Sequence, residues 1–292
     1  MNKHLIVVVI AVLLICVGIS GCLDIENSFS GVVEEEPTLE ELMTIPKVVT
    51  LEFMLDGQGW TLDYEVYKGL YDYLADLPRE ITYYTTPPTT KDFIMQKVEN
   101  GYQREFLLPL VDTIRNFTSD TDDQARVAIS IVQNIDYDYA GLEYGYLYGK
   151  YPYEVIYTES GVCGEKSDFL TFLLTELGFS VAVFEFENHR AVGVSCNSAY
   201  DYEDTGYCFI ETTVPSIITY GEGDYLGTGP LSNFDFITIS GGKSFQDISE
   251  EYNDAQEYDR INKLSESSGG YLDESEYNKW WEIVNKYGIQ VG

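Results

Sequence analysis

The hydrophobic and polar positions of this chain change their period several times, and each period predicts a different element. Two β-prone runs, residues 48–55 and 60–66, flank Asp56-Gly57-Gln58-Gly59, whose turn chemistry predicts a hairpin. Apolar residues at helical spacing then predict a helix near residues 91–116, interrupted around Gly101 or Pro109. A further helix is predicted to begin at Thr121 and to bury one face.

The second half of the chain carries the clearest helix and three strands. Within residues 162–177 four leucines recur at helical spacing, and Gly178 ends the pattern: Leu170, Leu173, Leu174 and Leu177. Residues 180–186, 190–196 and 207–212 are strand-like. A helix followed by antiparallel strands is typical of the α+β fold class, which we therefore predict.

The first residues resemble a secretory leader. Lys3 and His4 precede an apolar run over residues 5–20, and small residues lead into Cys22. The pattern predicts a lipoprotein signal peptide over residues 1–21, with lipid attached to Cys22; an uncleaved membrane anchor is the alternative. In both cases we expect the rest of the chain at the cell surface, held on the outer face of the cytoplasmic membrane.

The balance of charges is strongly acidic. The chain has 49 Asp and Glu against 17 Lys and Arg, which gives a formal net charge of −32. Such a surface repels phosphate groups, so nucleic acid is excluded as a class of partner. The charge does not identify a substrate, because it also serves solubility.

Tyrosine is concentrated in residues 137–157, where eight occur. Interleaved glycines and Pro152 argue against one long helix, so we predict an extended loop. Because tyrosine presents both an apolar ring and a polar tip, the segment can be a cover over the core or a cleft wall that holds an extended substrate.

The sequence Gly161-Val162-Cys163-Gly164-Glu165-Lys166 has the features of a reactive cysteine. Cys163 falls in the first turn of the predicted helix, where free backbone N–H groups and the helix dipole favour a thiolate and can hold an oxyanion. Glycines on both sides permit close backbone approach. The competing interpretation is a small buried hydrophobic residue.

His189 lies between two predicted strands and is the one histidine that follows the leader. Imidazole can act as both the base and the acid that a thiol nucleophile needs. A third group commonly orients such a ring, and Glu211 at the end of the third strand is the favoured candidate. Asp204, Asp201 and Glu187 are the alternatives.

Cys196 and Cys208 bracket an eleven-residue loop and can close a hairpin disulfide. Strand alternation directs them away from His189, and no Cys-x-x-Cys spacing occurs, so neither a zinc site nor any other metal or cofactor is expected. The Cys196–Cys208 disulfide conflicts, however, with a hydrogen bond between His189 and Glu211. If Cys196 directly faced Cys208, Glu211 would lie opposite Gly193, which is too far from His189 for a hydrogen bond unless the chain departs from a regular ladder.

Several of these motifs together resemble the transglutaminase-like core, in particular that of secreted archaeal and bacterial proteins. The stretches that carry the resemblance are Gly161–Ser167, Leu170–Leu174, Leu177-Gly178-Phe179, His189–Val194 and Phe209–Thr213, preceded by a helix and Tyr137-x-Tyr139. The resemblance implies a papain-like arrangement in which a nucleophile helix packs on an antiparallel sheet. In it Cys163 attacks a carbonyl, His189 moves the proton and Glu211 orients His189. No side chain upstream clearly matches an oxyanion donor; Tyr157 is one candidate.

The resemblance covers residues 110–215, which we take as the core. Residues 22–46 are then a tether, 47–109 an N-terminal extension with the hairpin, and 216–292 a C-terminal extension that closes with a helix over 274–287. The expected function is that of an extracytoplasmic thiol amidase or acyltransferase that acts on peptides, proteins or an envelope polymer. The alternatives are a non-catalytic peptide-binding module and a structural envelope protein.

Overall fold

The computed structural model describes residues 36–145, 149–223 and 231–290. The predicted signal peptide, residues 1–21, and its lipidation residue Cys22 lie outside the described residues. In the part of the chain that is described, no helix is both long enough and apolar enough to cross a membrane.

The described residues form ten helices and eight strands. The helices are α1 Leu39–Leu42, α2 Lys68–Asp76, α3 Thr90–Val98, α4 Gly101–Phe117, α5 Thr121–Asn134, α6 Tyr139–Tyr144, α7 Pro152–Thr158, α8 Cys163–Glu176, α9 Ser249–Ser267 and α10 Glu274–Tyr287. The strands are β1 Pro46–Leu55, β2 Gln58–Tyr67, β3 Asp136–Tyr137, β4 Ser160–Gly161, β5 Val181–Glu185, β6 Arg190–Ser195, β7 Tyr207–Ile210 and β8 Asp235–Ser240.

The strands form one four-stranded sheet and two small pairs. The main sheet has the order β7-β6-β5-β8, and every neighbouring pair is antiparallel. β1 and β2 form the predicted antiparallel hairpin, while the short β3 and β4 pair in parallel. The mixture of helices with antiparallel sheets confirms the α+β class. Strand β8 comes from the range 216–292, so the sheet continues past residue 215.

The hairpin turns through two residues with left-handed backbone angles, Asp56 (φ +50°) and Gly57 (φ +69°). Such a two-residue turn matches the right-handed twist of the strands beside it, which is why turn-forming residues there favour a hairpin. Val49, Leu51 and Phe53 alternate inward along β1 and are buried. This face of the hairpin packs on α5.

The helix predicted over residues 91–116, with an interruption around Gly101 or Pro109, is interrupted before Gly101, where the Asn100 side chain caps α4 by accepting a hydrogen bond from the backbone of Gln103. Pro109 lies inside α4 and does not end it. The tyrosine-rich segment contains two short helices, α6 and α7, instead of a continuous extended loop, and Pro152 is the first residue of α7.

Helices α5 and α8 lie at the centre of the core. Helix α5 packs between the hairpin and α8, and α8 packs in turn on β5 and β6. The predicted leucines of α8 are buried, but so is every residue from 165 to 174, so α8 is enclosed on all faces. This enclosure fixes the N-terminus of α8 beside the turn that follows β5 and the chain that leaves β7.

Candidate thiol active site

Cys163 is the first residue of α8, as the sequence predicts. Its thiol is free and partly exposed. The backbone at this end is held by Glu165, whose carboxylate accepts hydrogen bonds from the N–H groups of Val162 (3.1 Å) and Lys150 (2.9 Å). The Arg190 guanidinium lies beside Gly164, the residue after Cys163, and is near enough to the cysteine for the two charges to interact. The sulfur therefore lies at a helix N-terminus with a cation nearby.

His189 and Glu211 meet beside this helix end. The His189 Nε2 atom lies 2.8 Å from Glu211 Oε2, and both side chains are almost completely buried. Since Nε2 is held by the carboxylate, Nδ1 is the ring nitrogen left for the thiol. Cys163 is near enough to His189 to raise the pKa of the ring. The structure thus brings together the three residues that the sequence analysis selected.

The Glu211 carboxylate is fixed by its own loop. Its Oε1 atom accepts hydrogen bonds from the backbone N–H of Thr212 (2.9 Å), the backbone N–H of Thr213 (2.7 Å) and the Thr213 hydroxyl (2.6 Å). The other oxygen is therefore directed at His189. A ring held in this way presents the same nitrogen to the sulfur at all times, which is the orienting role of the third residue.

The protonation of His189 is set by opposing influences. Burial lowers the pKa of the ring, but the hydrogen bonds with Cys163 and Glu211 and the charges of both partners outweigh it and raise the pKa to about 9. At neutral pH the imidazole is therefore cationic. It stands between a thiol and a carboxylate, the arrangement that favours a thiolate–imidazolium pair.

Cys196 and Cys208 form a disulfide whose Cα atoms are 5.8 Å apart. They do not face each other across the ladder. Cys208 pairs with Val194, while Cys196 lies just past the end of β6 and its N–H donates to the Gly206 carbonyl. The bond is therefore diagonal, made possible by the chain leaving the ladder at Cys196.

The diagonal disulfide removes the conflict noted from the sequence. The ladder ends with Val192 opposite Ile210, so Glu211 lies two residues nearer to His189 than a direct cysteine pairing would place it. Two residues of strand correspond to about 6.7 Å. The disulfide and the His189–Glu211 hydrogen bond are thus compatible, and both occur.

The alternative acids lie elsewhere. Asp201 accepts a hydrogen bond from the Gly206 N–H in the loop between the disulfide cysteines, and Asp204 is exposed in the same loop. Glu187 is exposed to solvent. Tyr157, which the sequence analysis considered for the oxyanion, stacks on Tyr71 with ring centroids 4.5 Å apart and has no described contact with Cys163.

Tyr137 is a neighbour of Cys163 to which the sequence analysis assigned no role at the site. Strand β3 pairs Tyr137 with Gly161, two residues before Cys163. Burial together with the nearby Cys163 charge raises the pKa of its phenol to about 12, although a hydrogen bond that the phenol oxygen accepts from the Cys163 backbone opposes this effect. Tyr137 therefore remains a neutral hydroxyl beside Cys163, and a neutral hydroxyl can donate to an oxyanion.

Lys166 is a second missed residue, because a lysine on an apolar helix gives no sequence signal of a role. It is completely buried, and its ammonium donates to the carbonyls of Ile135 (2.5 Å), Thr213 (2.8 Å) and Gln133 (3.3 Å). Burial lowers its pKa to about 7, although the charge of Glu211 opposes this effect. Lys166 thus ties the nucleophile helix to the end of α5 and to the loop that carries Glu211.

Exposed apolar side chains border the candidate site. Tyr137 packs edge-on against Tyr139, with ring centroids 5.0 Å apart. Tyr139, Leu142 and Tyr144 on α6 are all more than half exposed. These exposed side chains favour the interpretation of the first part of the tyrosine-rich segment as a cleft wall. In the second part, Tyr153 of α7 is buried and belongs to the core.

Among the described residues, no group of three or more His, Cys, Asp or Glu has an arrangement that could hold a metal ion. A comparison with protein-family models finds no match for this chain. A search of the curated proteins likewise finds no match. The candidate function therefore depends on the geometry of the thiol site.

Proposed function

We propose that this chain is a thiol-dependent amidase or acyltransferase in which Cys163 is the nucleophile, His189 the proton carrier and Glu211 the orienting acid. The observation that carries the proposal is the hydrogen bond between His189 and the buried Glu211 carboxylate (Nε2 to Oε2, 2.8 Å), next to a Cys163 side chain that is near enough to raise the pKa of the ring. A cysteine kept only for packing has no need of an oriented, cationic imidazole.

The reaction follows from these positions. The Cys163 sulfur attacks the carbonyl carbon of an amide or ester, and a carbon–sulfur bond forms. The negative charge on the carbonyl oxygen is stabilised by the Tyr137 hydroxyl. His189 gives its proton to the leaving amine or alcohol as the original bond breaks. Water or an amine then attacks the thioester, His189 accepts its proton, and Cys163 is released.

The same proposal includes a transglutaminase-like core. Support comes from the order of the parts along the chain, in which a nucleophile helix is followed by antiparallel strands that deliver first the histidine and then the acid. Glutamate in the third place is one methylene longer than the aspartate of many members of that family. The hydrogen bonds from Thr212 and Thr213 compensate for the extra length because they hold the carboxylate in one orientation.

An extracytoplasmic location fits the proposal. The Cys196–Cys208 disulfide is of a kind that persists in oxidising compartments. The N-terminal pattern that ends at Cys22 supports a lipid anchor on the outer face of the membrane. A tethered enzyme would meet peptides, proteins or polymers of the envelope as its substrates.

An activated ester tests the chemistry without knowledge of the natural substrate. With p-nitrophenyl acetate we expect a burst of nitrophenol, followed by slower turnover, and an added acetyl group on the peptide that contains Cys163. The Cys163→Ala variant should show neither. Added methylamine should speed turnover if amines compete with water for the acyl group. A wild-type chain that shows no burst and no acetylated Cys163 would contradict the proposal.

The exposed rings of α6 give one reason to keep a second function, that of a peptide-binding module. In that case the thiol would be dispensable. A peptide that is captured equally by the wild-type chain and by Cys163→Ala, but lost from Tyr139→Ser, would favour binding if no acyl-enzyme forms.

A further inference from the structure

Ser167 lies one helical turn beyond Cys163, on the same face of α8, and it is completely buried. Its hydroxyl donates a hydrogen bond to the backbone carbonyl of Arg190 (3.1 Å) and lies 3.1 Å from the hydroxyl of Thr212. Because a serine hydroxyl has one hydrogen and the Arg190 carbonyl holds it, Thr212 is the donor in the second contact. Ser167 therefore joins two separate segments to the helix that begins with the cysteine.

The two partners of Ser167 are the residues that directly follow the imidazole and the acid in the chain. Arg190 comes after His189, and Thr212 comes after Glu211. The backbone N–H of Thr212 also donates to Glu211 Oε1 (2.9 Å). One hydroxyl on α8 thus lies a single residue away from each of the two groups that act with the cysteine.

The β6–β7 ladder ends before it reaches these two segments. Its last pair is Val192 opposite Ile210, where β7 ends. On a regular antiparallel ladder, Arg190 and Thr212 would face each other two residues further on. Ser167 bridges the segments at this position, so a side chain of α8 stands where the ladder has opened.

The residue before Ser167 holds the next position of the Glu211 loop. Lys166 Nζ donates to the carbonyl of Thr213 (2.8 Å), whose own N–H and hydroxyl bind Glu211 Oε1. Helix α8 therefore carries the nucleophile at its first residue and, within the next turn, two neighbouring side chains that hold the loop of the acid. Of these two side chains, Ser167 also holds the strand that follows His189.

From these contacts we infer that Ser167 is a positioning residue of the thiol site, which fastens the segments that carry His189 and Glu211 to the helix that carries Cys163. The inference rests on the proposed function. Without the hydroxyl, both segments lose this link to α8 at the open end of the ladder, and the imidazole shifts relative to the sulfur. A displacement of about 1 Å is enough to slow such a reaction about a hundredfold.

The test compares Ser167→Ala with Ser180→Ala in the full-length chain. Ser180 is the matched control, because its buried hydroxyl also contacts one hydroxyl, that of Tyr207 (2.9 Å), and one carbonyl, that of Ser240 (3.1 Å). It lies beyond the opposite end of α8, away from the thiol site. Both variants lose one oxygen atom and two hydrogen bonds, so their thermal unfolding midpoints should fall by similar amounts.

The two variants should differ in acyl transfer. At a temperature at which both are folded, Ser167→Ala should form the acyl-enzyme with p-nitrophenyl acetate about ten- to a hundredfold more slowly than Ser180→Ala. The ester concentration that gives the half-maximal rate should stay within about twofold of the wild-type value, because the buried Ser167 hydroxyl does not touch the substrate.

The ring of His189 gives a second measurement, which requires no turnover. Its pKa, followed by NMR, should fall in Ser167→Ala, because the Glu211 carboxylate that raises it is held less firmly. In Ser180→Ala the pKa of His189 should keep its wild-type value.

Thr212→Val removes the hydroxyl that donates to Ser167 with little change of size, so it tests the bridge even if Ser167→Ala does not fold. It should slow acylation and lower the pKa of His189 in the same direction. The double variant should be no slower than Ser167→Ala alone, since the Thr212 hydroxyl acts through Ser167.

Equal acylation rates and equal pKa values of His189 in Ser167→Ala and Ser180→Ala would overturn the inference and leave the proposed function intact. Additive losses in the double variant would mean that the two hydroxyls act separately, and would overturn it too. A wild-type chain that forms no acyl-enzyme contradicts the proposed function instead. The pKa of His189 then still decides whether Ser167 positions the ring.

Discussion

At the scale of single residues, the proposed function depends most on Glu211, the proposed orienting acid. Its carboxylate is completely buried, yet it accepts three hydrogen bonds from its own loop and holds His189 with the remaining oxygen. Those contacts are local, within two residues of Glu211. A side chain that binds the backbone just ahead of it competes with strand pairing. The sequence analysis predicted a strand that continues to Thr212. The competition with strand pairing explains why β7 ends earlier, at Ile210.

The Glu211→Gln variant tests whether Glu211 orients His189, because it removes the carboxylate without changing the size of the side chain. The amide would place an N–H group against His189 Nε2 and favour the wrong tautomer, so acyl transfer should fall about a thousandfold. The pKa of His189, followed by NMR of its ring, should drop from about 9, because the carboxylate raises it. Glu187→Gln, an exposed acid two residues from His189, is the matched control. Equal activity in both variants would mean that Glu211 is not the orienting acid.

At the scale of elements, the sequence predicted the hairpin and α8, because the apolar residues of these segments recur at the spacing of a strand and of a helix, respectively. The motif around Cys163 and the lone His189 also predicted a thiol site, and the structure places His189 in hydrogen-bond contact with Glu211. The helices α6 and α7 could not be predicted, since glycine and proline are read as breakers although Pro152 suits the first turn of a helix. Tyr137 was missed because only the short pairing of β3 with β4 brings it to Cys163.

Lys166 joins three elements, and its replacement tests that connection. In Lys166→Met the carbonyls of Gln133, Ile135 and Thr213 lose their donor and stay buried. We expect a loss of unfolding free energy of about 3–5 kcal/mol, measured by urea titration. Lys263→Met is the control, because Lys263 is exposed on α9 and its one salt bridge within the described residues is with Asp259. Its replacement should leave the free energy of unfolding almost unchanged. Equal losses in both would remove the role given to Lys166.

The disulfide closes the hairpin that delivers both His189 and Glu211. Replacing Cys196 and Cys208 by serine should lower the unfolding free energy by about 3 kcal/mol, because the twelve-residue separation would no longer be restricted in the unfolded chain. Urea titration of the oxidised chain, the reduced chain and the double variant provides the comparison. Reduced wild type should match the variant; a reduced chain as stable as the oxidised one would contradict the stabilising role.

At the scale of the whole molecule, the thiol site depends on segments far from it in sequence. Strand β8 completes the main sheet beside β5, and Ile239, Phe245 and Ile248 belong to the same buried cluster as α8. The hairpin covers α5 from the other side. The site therefore lies within a core built from both ends of the described chain.

A fragment that contains only residues 110–215 should consequently fail to fold. It would expose the β5 edge and the face of α5 that packs on β1. Circular dichroism should show no cooperative thermal transition for the fragment, whereas residues 36–290 should unfold cooperatively. A cooperative transition in the short fragment would mean that the core is an independent domain.

The most direct test of the central claim is the rate at which iodoacetamide alkylates Cys163 between pH 5 and pH 10, followed by mass spectrometry of the peptide that carries it. Because His189 is cationic at neutral pH, the account predicts that at pH 6 the wild-type chain reacts at least about tenfold faster than His189→Gln. Identical rates in the two proteins across this range would contradict a thiolate–imidazolium pair.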